Sequence, residues 1–78
     1  MDITLTDKFL NAEYEVIVED DCITTSKIYI DGEMVSAQEY TLENGGDVPF
    51  NRKNIDNVYE SIKAEIKQRF EKNMMALA

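Results

Sequence analysis

Carboxylates are the side chains of this sequence that are best placed to do chemistry. Glu13 and Glu15 are two positions apart, and such a pair can act as general acid and base in a desolvated pocket. Residues 19–21, together with Asp31 and Glu33, offer the oxygen ligands that calcium prefers. The DxDxDG spacing with a glutamate at the twelfth position is absent, however. We therefore expect solvated surface charges, and neither a catalytic nor a metal site.

Other reactive residue types are scarce in the sequence. There is no histidine, so no side chain titrates near neutral pH by default and no Ser-His or Cys-His pair can form. Cys22 has no basic neighbour in sequence that would lower its pKa, and we expect it to pack in the core. Gly45-Gly46 lacks the spacing of a phosphate-binding loop and reads as a connector. The sequence thus indicates a protein that is not an enzyme and that uses no cofactor.

Charge is distributed unevenly along the chain, whose formal net charge is -8. Residues 1–51 contain twelve acidic and two basic residues, a net charge of -10, whereas residues 52–78 contain six basic and four acidic residues, a net charge of +2. A field this negative repels nucleic-acid phosphates and attracts basic protein surfaces. We expect a basic protein surface as the partner and no direct binding of nucleic acid, although acidic residues also serve solubility alone.

The length of the chain predicts one domain over residues 1–78 with a small hydrophobic core. A single cysteine fits a reducing compartment, and MDITLTDKFL lacks the basic start and long apolar run of a signal peptide. No segment approaches the roughly 20 apolar residues that a membrane span requires. These features predict a soluble, cytoplasmic protein with no membrane partner.

One long amphipathic helix is predicted over about residues 54–76, because apolar residues recur there at every third or fourth position. They are Ile55, Val58, Ile62, Ile66, Phe70, Met74 and Leu77. Either Asn51 or Asn54 can cap the first turn, since a short side-chain oxygen accepts hydrogen bonds from N–H groups without a helical partner. We expect Ile62, Ile66 and Phe70 to pack against a sheet.

A tight β-hairpin is predicted in IYIDGEMVSAQEY, residues 28–40. Asp31-Gly32 is typical of a type I′ turn, which needs positive φ at both central residues. The turn sets Tyr29 opposite Met34, and regular alternation would continue from there. One face would then carry Ile28, Ile30, Val35 and Ala37, and the other Tyr29, Met34, Gln38 and Tyr40.

The strand YEVIV, residues 14–18, must join the same sheet. A three-residue loop over residues 19–21, or an equivalent bulge, places its alternate residues beside Cys22 and Ile28 on the core face. Ile23 then lies on the outer face. Residues 6–12 read either as a helical turn capped by Thr6 or, with Ile3 and Leu5, as an edge strand. The predicted fold class is α+β: an antiparallel β-meander of three strands, or of four, packed against one long C-terminal helix.

The sheet face that the helix does not cover is the candidate site. In the predicted register its apolar centre is formed by Tyr29, Met34 and Tyr40. Five acidic residues of the two turns surround that centre: Glu19, Asp20, Asp21, Asp31 and Glu33. An apolar and aromatic centre with a charged rim is the composition expected of a protein interface. Two alternatives remain open at this point, a homodimer through the same face and a cover provided by the N-terminal segment.

The run IVEDD followed by IYIDGEMVSAQEY resembles the β-meander of a type I-F anti-CRISPR protein, which shares a turn-Gly-x-x-Val-x-Ala-x-acid-aromatic pattern. The resemblance covers residues 14–41, about a third of the chain, and transfers no functional residue. It implies a phage-encoded inhibitor that acts in the cytoplasm of a bacterial host. Its partner would be a CRISPR effector complex, in which it occludes a groove lined with lysine and arginine.

Overall fold

The computed structural model describes residues 2–77, and the side chains of residues 2–73. Four antiparallel strands lie in chain order: β1 (Ile3–Phe9), β2 (Ala12–Glu19), β3 (Cys22–Ile30) and β4 (Glu33–Glu39). A short strand, β5 (Val48–Pro49), pairs with the start of β3 and leads into the helix α1 (Arg52–Leu77). The predicted α+β fold is confirmed, and residues 3–9 form a strand rather than a helical turn.

Three two-residue turns connect the first four strands: Leu10-Asn11, Asp20-Asp21 and Asp31-Gly32. Asp31 and Gly32 have φ values of 54° and 79°, as a type I′ turn requires, so the predicted hairpin turn is confirmed. Asp20 and Asp21 also have positive φ, 51° and 61°. The aspartates suit these positions because short polar side chains tolerate the left-handed region better than other non-glycine residues do.

Gly32→Val is expected to lower the free energy of unfolding by about 1 kcal/mol or more. A Cβ atom at this position would meet no atom within 4 Å, so the cost arises from the backbone conformation and not from a clash. Chemical denaturation of the unmodified chain and of Gly32→Val measures the difference in unfolding free energy. Glu33→Val is the control, because Glu33 is exposed and does not have a positive φ. Equal stability of the two variants would contradict a type I′ turn.

A β-bulge in β3 sets the register against β2. Val18 pairs with Ile23, but Ile17 pairs with Thr25, so Thr24 is the extra residue. The connection between β2 and β3 is a two-residue turn and not the predicted three-residue loop. The predicted alternative, a bulge, is present instead and places alternate residues of β2 on the core face. Two predictions are wrong for the same reason. Ile23 is buried, at 1% exposure, and Cys22 lies opposite Glu19 on the other face.

A second bulge, in β4, changes the register beyond the β3–β4 turn. Tyr29 lies opposite Met34 as predicted, but Ile28 pairs with Ser36 instead of Val35. A bulge inserts one residue, so every later side chain of the strand points to the other face. Ala37 is therefore exposed opposite Lys27, and Tyr40 turns to the core face, the reverse of the prediction.

The hydrophobic core lies between one face of the sheet and α1. Its buried members are Ala12, Tyr14, Val16, Val18, Ile23, Ile28, Val58, Ile62 and Ile66. The Asn54 N–H donates to Asn51 Oδ1 over 2.8 Å, so Asn51 is the cap residue. Phe70 was predicted in the core but is half-buried and outside this cluster. At about 1.5 Å per residue the 26-residue helix is about 39 Å long.

Candidate functional site

The sheet surface opposite α1, which we call the outer face, consists of three rows of side chains that run across the four strands. The rows are Thr4-Ile17-Thr25-Glu39, Thr6-Glu15-Lys27-Ala37 and Lys8-Glu13-Tyr29-Met34. Members of one row are direct cross-strand neighbours, whose side chains contact each other. The part of the helix whose side chains the structure describes packs against the other face, as the membership of the core shows. The outer face is the surface on which the sequence predicts a binding site.

Tyr29 and Met34 form the apolar part of this face. They are cross-strand partners beside the β3–β4 turn, and Met34 is 56% exposed. The Tyr29 hydroxyl lies 3.5 Å from Glu15 Oε2, at the limit of a hydrogen bond. These two of the three predicted central residues are therefore on the outer face.

Tyr40, the third predicted central residue, belongs to the core side. Its hydroxyl is 2.8 Å from Ser26 Oγ, and Ser26 is only 3% exposed. Burial raises the pKa of Tyr40, the hydrogen bond with Ser26 lowers it, and the nearby charge of Glu65 raises it. The cause of the wrong prediction is the bulge at Val35, which reverses the direction of the side chains that follow.

Charges in the middle of the outer face occur in opposite pairs. Lys8 Nζ lies 3.9 Å from Glu13 Oε1, and Lys27 is the cross-strand partner of Glu15. Both members of the Lys8–Glu13 pair are largely exposed, so the pair adds little stability. Glu13 and Glu15 also line an open depression of about 340 Å³, which leaves them in contact with solvent and not in a closed pocket.

Acidic residues concentrate at one end of the sheet, which we call the acidic end. It comprises Asp2, Glu19, Asp20, Asp21 and Asp47. Asp2 Oδ1 accepts the Asp20 N–H over 3.1 Å, which ties the start of β1 to the β2–β3 turn. The Thr24 hydroxyl has one proton to share between Glu19 Oε1, at 3.3 Å, and the Ile17 carbonyl, at 3.2 Å.

Cys22 lies at the acidic end, where the negative charges affect its pKa. Desolvation raises the pKa of its thiol, and the charges of Asp47, Asp21 and Asp20 raise it further. A thiol of raised pKa is a poor nucleophile, because the thiolate is the reactive form.

The Phe50 N–H donates to the Asp21 carbonyl over 2.8 Å and so brings the first helical residues, including Arg52, to the same end.

Asp31 and Glu33, the other two predicted rim acids, lie at the opposite end. They line a cavity of about 520 Å³ with Arg69 and Lys72 of the helix. Arg69 donates to the Val35 carbonyl and pairs with Glu65 at 3.1 Å. The two groups of predicted acids are thus separated by the length of β3, about 26 Å at roughly 3.3 Å per residue.

The structure divides the predicted site and adds two residues to it. Tyr29 and Met34 lie near Asp31 and Glu33, whereas Glu19, Asp20 and Asp21 form the acidic end. Asp2 and Asp47 were not predicted as site residues. Asp2 arrives there because Ile3 pairs with Val18 in the β1–β2 hairpin. The edge-strand alternative for the N-terminal residues would have indicated the position of Asp2. If that strand forms a hairpin with β2, its first residues lie beside the β2–β3 turn.

Two further observations concern the part of the chain that the structure describes. Within residues 2–77 no group of three or more His, Cys, Asp or Glu side chains is arranged to hold a metal ion. Nor does the described helix have the length and apolarity needed to cross a membrane. In comparisons with known proteins, no family model, no curated protein and no solved structure matches the chain.

Proposed function

We propose that this chain is a non-enzymatic inhibitor that binds a protein, with its acidic sheet on a basic nucleic-acid-binding surface of the partner. Following the sequence resemblance, the partner is a CRISPR effector complex and the chain is an anti-CRISPR-like protein of the bacterial cytoplasm. The observation that carries the proposal is the outer face, which has the Tyr29–Met34 pair near one of its ends, with Met34 exposed, and borders the acidic end at the other.

The two parts of the surface have different physical roles in this proposal. The acidic end acts at long range, because unlike charges raise the rate at which two proteins meet. Tyr29 and Met34 act at short range, because aromatic and methionine side chains contribute strongly once water is excluded from an interface. Lysine and arginine side chains engaged by the acidic end are no longer available to phosphates, and nucleic acid is thereby excluded.

The direct test is competition with DNA. Purified type I CRISPR surveillance complexes, loaded with guide RNA, are mixed with a labelled target duplex in the presence of increasing amounts of the chain. We expect loss of DNA binding for at least one complex, with stronger inhibition at low salt. Unchanged DNA binding by every complex at large excess of the chain would reject the proposed partner class.

The inhibited complex then allows the two parts of the surface to be separated by binding kinetics. Glu19→Gln, Asp20→Asn and Asp21→Asn together should slow association and flatten its salt dependence, since asparagine also tolerates the positive φ of this turn. The control removes three acids from exposed positions of the helix: Asp56→Asn, Glu60→Gln and Glu71→Gln. We expect the control to affect association less.

Tyr29→Ala should instead speed dissociation. The expected loss of binding free energy is about 2 kcal/mol, because the ring is an anchor of the proposed interface. Thr25→Ala is the matched control, because Thr25 lies on the same strand and on the same outer face as Tyr29, one row beyond Lys27. Equal effects of the two alanine substitutions would show that Tyr29 has no special part in binding.

A further inference from the structure

The two edges of the sheet differ in how open they are to another strand. Strand β4 contains a bulge, and the Val35 carbonyl beside it is already bound by Arg69 Nη2 at 3.3 Å. Strand β1 pairs with β2 in an unbroken register from Ile3–Val18 to Phe9–Ala12. A regular edge strand offers a row of backbone N–H and C=O groups, whereas a bulge disrupts such a row.

The backbone groups on the open side of β1 can be assigned from the hairpin. A two-residue turn is closed by a hydrogen-bonded pair, here Phe9–Ala12, and such pairs alternate with pairs that do not exchange backbone bonds. The N–H and C=O groups of Thr4, Thr6 and Lys8 therefore point to the edge. In agreement, the Lys8 N–H is bound by the carboxylate of Asp7, at 2.8 Å, and not by β2.

We infer that this edge is a self-association surface, on which β1 of a second copy pairs in antiparallel orientation with Leu5 opposite Leu5. In this register Thr4 of one copy faces Thr6 of the other, twice by symmetry. On the outer face Asp2 then lies opposite Lys8, also twice. Cross-strand threonine pairs and opposite charges both stabilise antiparallel strands. Asp2, which precedes β1, and Lys8 are thus complementary to the same two residues of a second copy, whereas Asp7 faces Ile3.

The neighbouring registers fit less well. The proposed register also places an apolar residue, Ile3, opposite Asp7, but its two Thr4–Thr6 pairs do not need the Lys8 N–H, which Asp7 already occupies. A shift that centres the pair on Thr6 leaves only the Thr6–Thr6 pair independent of that N–H and separates Lys8 from Asp2. A shift that centres it on Thr4 shortens the ladder and leaves Lys8 without Asp2. A shift by one residue would set core-facing side chains against outer ones. Asp7 therefore ends the ladder at Thr6 and selects the register.

The pairing would join the four main strands of each copy into one continuous sheet with both helices on the same side. The two outer faces would then form a single surface. This inference does not depend on the proposed inhibitor function, because it concerns the chain alone, without any other protein.

Sedimentation velocity over a wide concentration range tests the inference, and we expect the chain to reach a dimer. Thr6→Pro removes an N–H that points to the edge and no bond to β2, so it should abolish the dimer while circular dichroism stays unchanged. Thr6→Val, which keeps the N–H, is the control. A chain that stays monomeric, or a dimer that survives Thr6→Pro, would overturn the inference.

Single cysteines in a Cys22→Ser background test the register independently. Leu5→Cys places two thiols opposite each other on the symmetry axis, in a pair whose Cα atoms are about 4.5 Å apart, within reach of a disulfide. Mild oxidation should link Leu5→Cys chains, and should leave Thr4→Cys and Thr6→Cys chains unlinked. Linkage of either threonine variant in preference to Leu5→Cys, or of none, would overturn the pairing.

Charge exchange provides a third measurement. Asp2→Lys and Lys8→Asp should each weaken the dimer, because each places like charges opposite each other, and the double variant should restore it. No recovery in the double variant would argue against contact between these residues.

Discussion

Ile66→Ala is expected to lower the free energy of unfolding by about 2 to 4 kcal/mol. The Ile66 side chain is 0% exposed and is among the largest fully buried groups of the core. A domain of this size has a stability on the order of 5 kcal/mol, so about 1 to 3 kcal/mol should remain and up to roughly 15% of the variant should be unfolded at ambient temperature. Urea denaturation followed by circular dichroism measures the loss, with the slope as a check on cooperativity.

Phe70→Ala is the matched control, since Phe70 is the next apolar position on the same helix stripe. It is half-buried and does not belong to the core cluster, so its loss should cost less than about 1.5 kcal/mol despite the larger side chain. A greater cost for Phe70→Ala than for Ile66→Ala would mean that the helix packs on the sheet in a different position.

Tyr40→Ala should destabilise the protein by about 2 to 3 kcal/mol, with two contributions to the loss. Packing of the ring against the core disappears, and the buried Ser26 hydroxyl loses its hydrogen-bond partner. Tyr40→Phe keeps the ring and should lose only the second contribution, about 1 kcal/mol. The measurement is again urea denaturation.

Tyr29 provides the comparison for Tyr40, because it lies on the outer face in the adjacent strand. Tyr29→Ala should cost less than about 1 kcal/mol of stability, since its ring packs on the exposed side of the sheet. In a double-mutant cycle, Tyr40→Phe and Ser26→Ala should be non-additive, whereas Tyr29→Phe and Ser26→Ala should add. Larger destabilisation by Tyr29→Ala than by Tyr40→Ala would place the bulge of β4 elsewhere.

The features of the fold that follow from local chemistry were predictable from the sequence. Asp31-Gly32 identifies its turn because few residue pairs accept two positive φ angles, and the spacing from Ile55 to Ile66 identifies the buried stripe of the helix. The residues that form the bulges, Thr24 and Val35, are ordinary strand residues. A bulge is chosen by the packing of the whole sheet, which simple alternation along one strand does not contain.

The candidate site could also be predicted only in part. The acidic character of the first 51 residues is a property of composition and needed no fold. Tyr29 and Met34 were correctly placed because they lie between the turn and the bulge. Tyr40 lies beyond the bulge and was not. The arrangement of the acids into two distant groups required the strand order, which decides which turns share an end.

The meander order of the strands has a consequence for folding. Each two-residue turn closes a very small loop, so strand pairing costs little closure entropy and involves contacts of low sequence separation. The helix is different, because Ile66 must return to strands that precede it by more than half of the chain. During synthesis the meander is complete at Glu39, whereas Ile66 follows 27 residues later. At about 5 to 20 residues per second, Ile66 is therefore added roughly 1 to 5 seconds after the last residue of the meander.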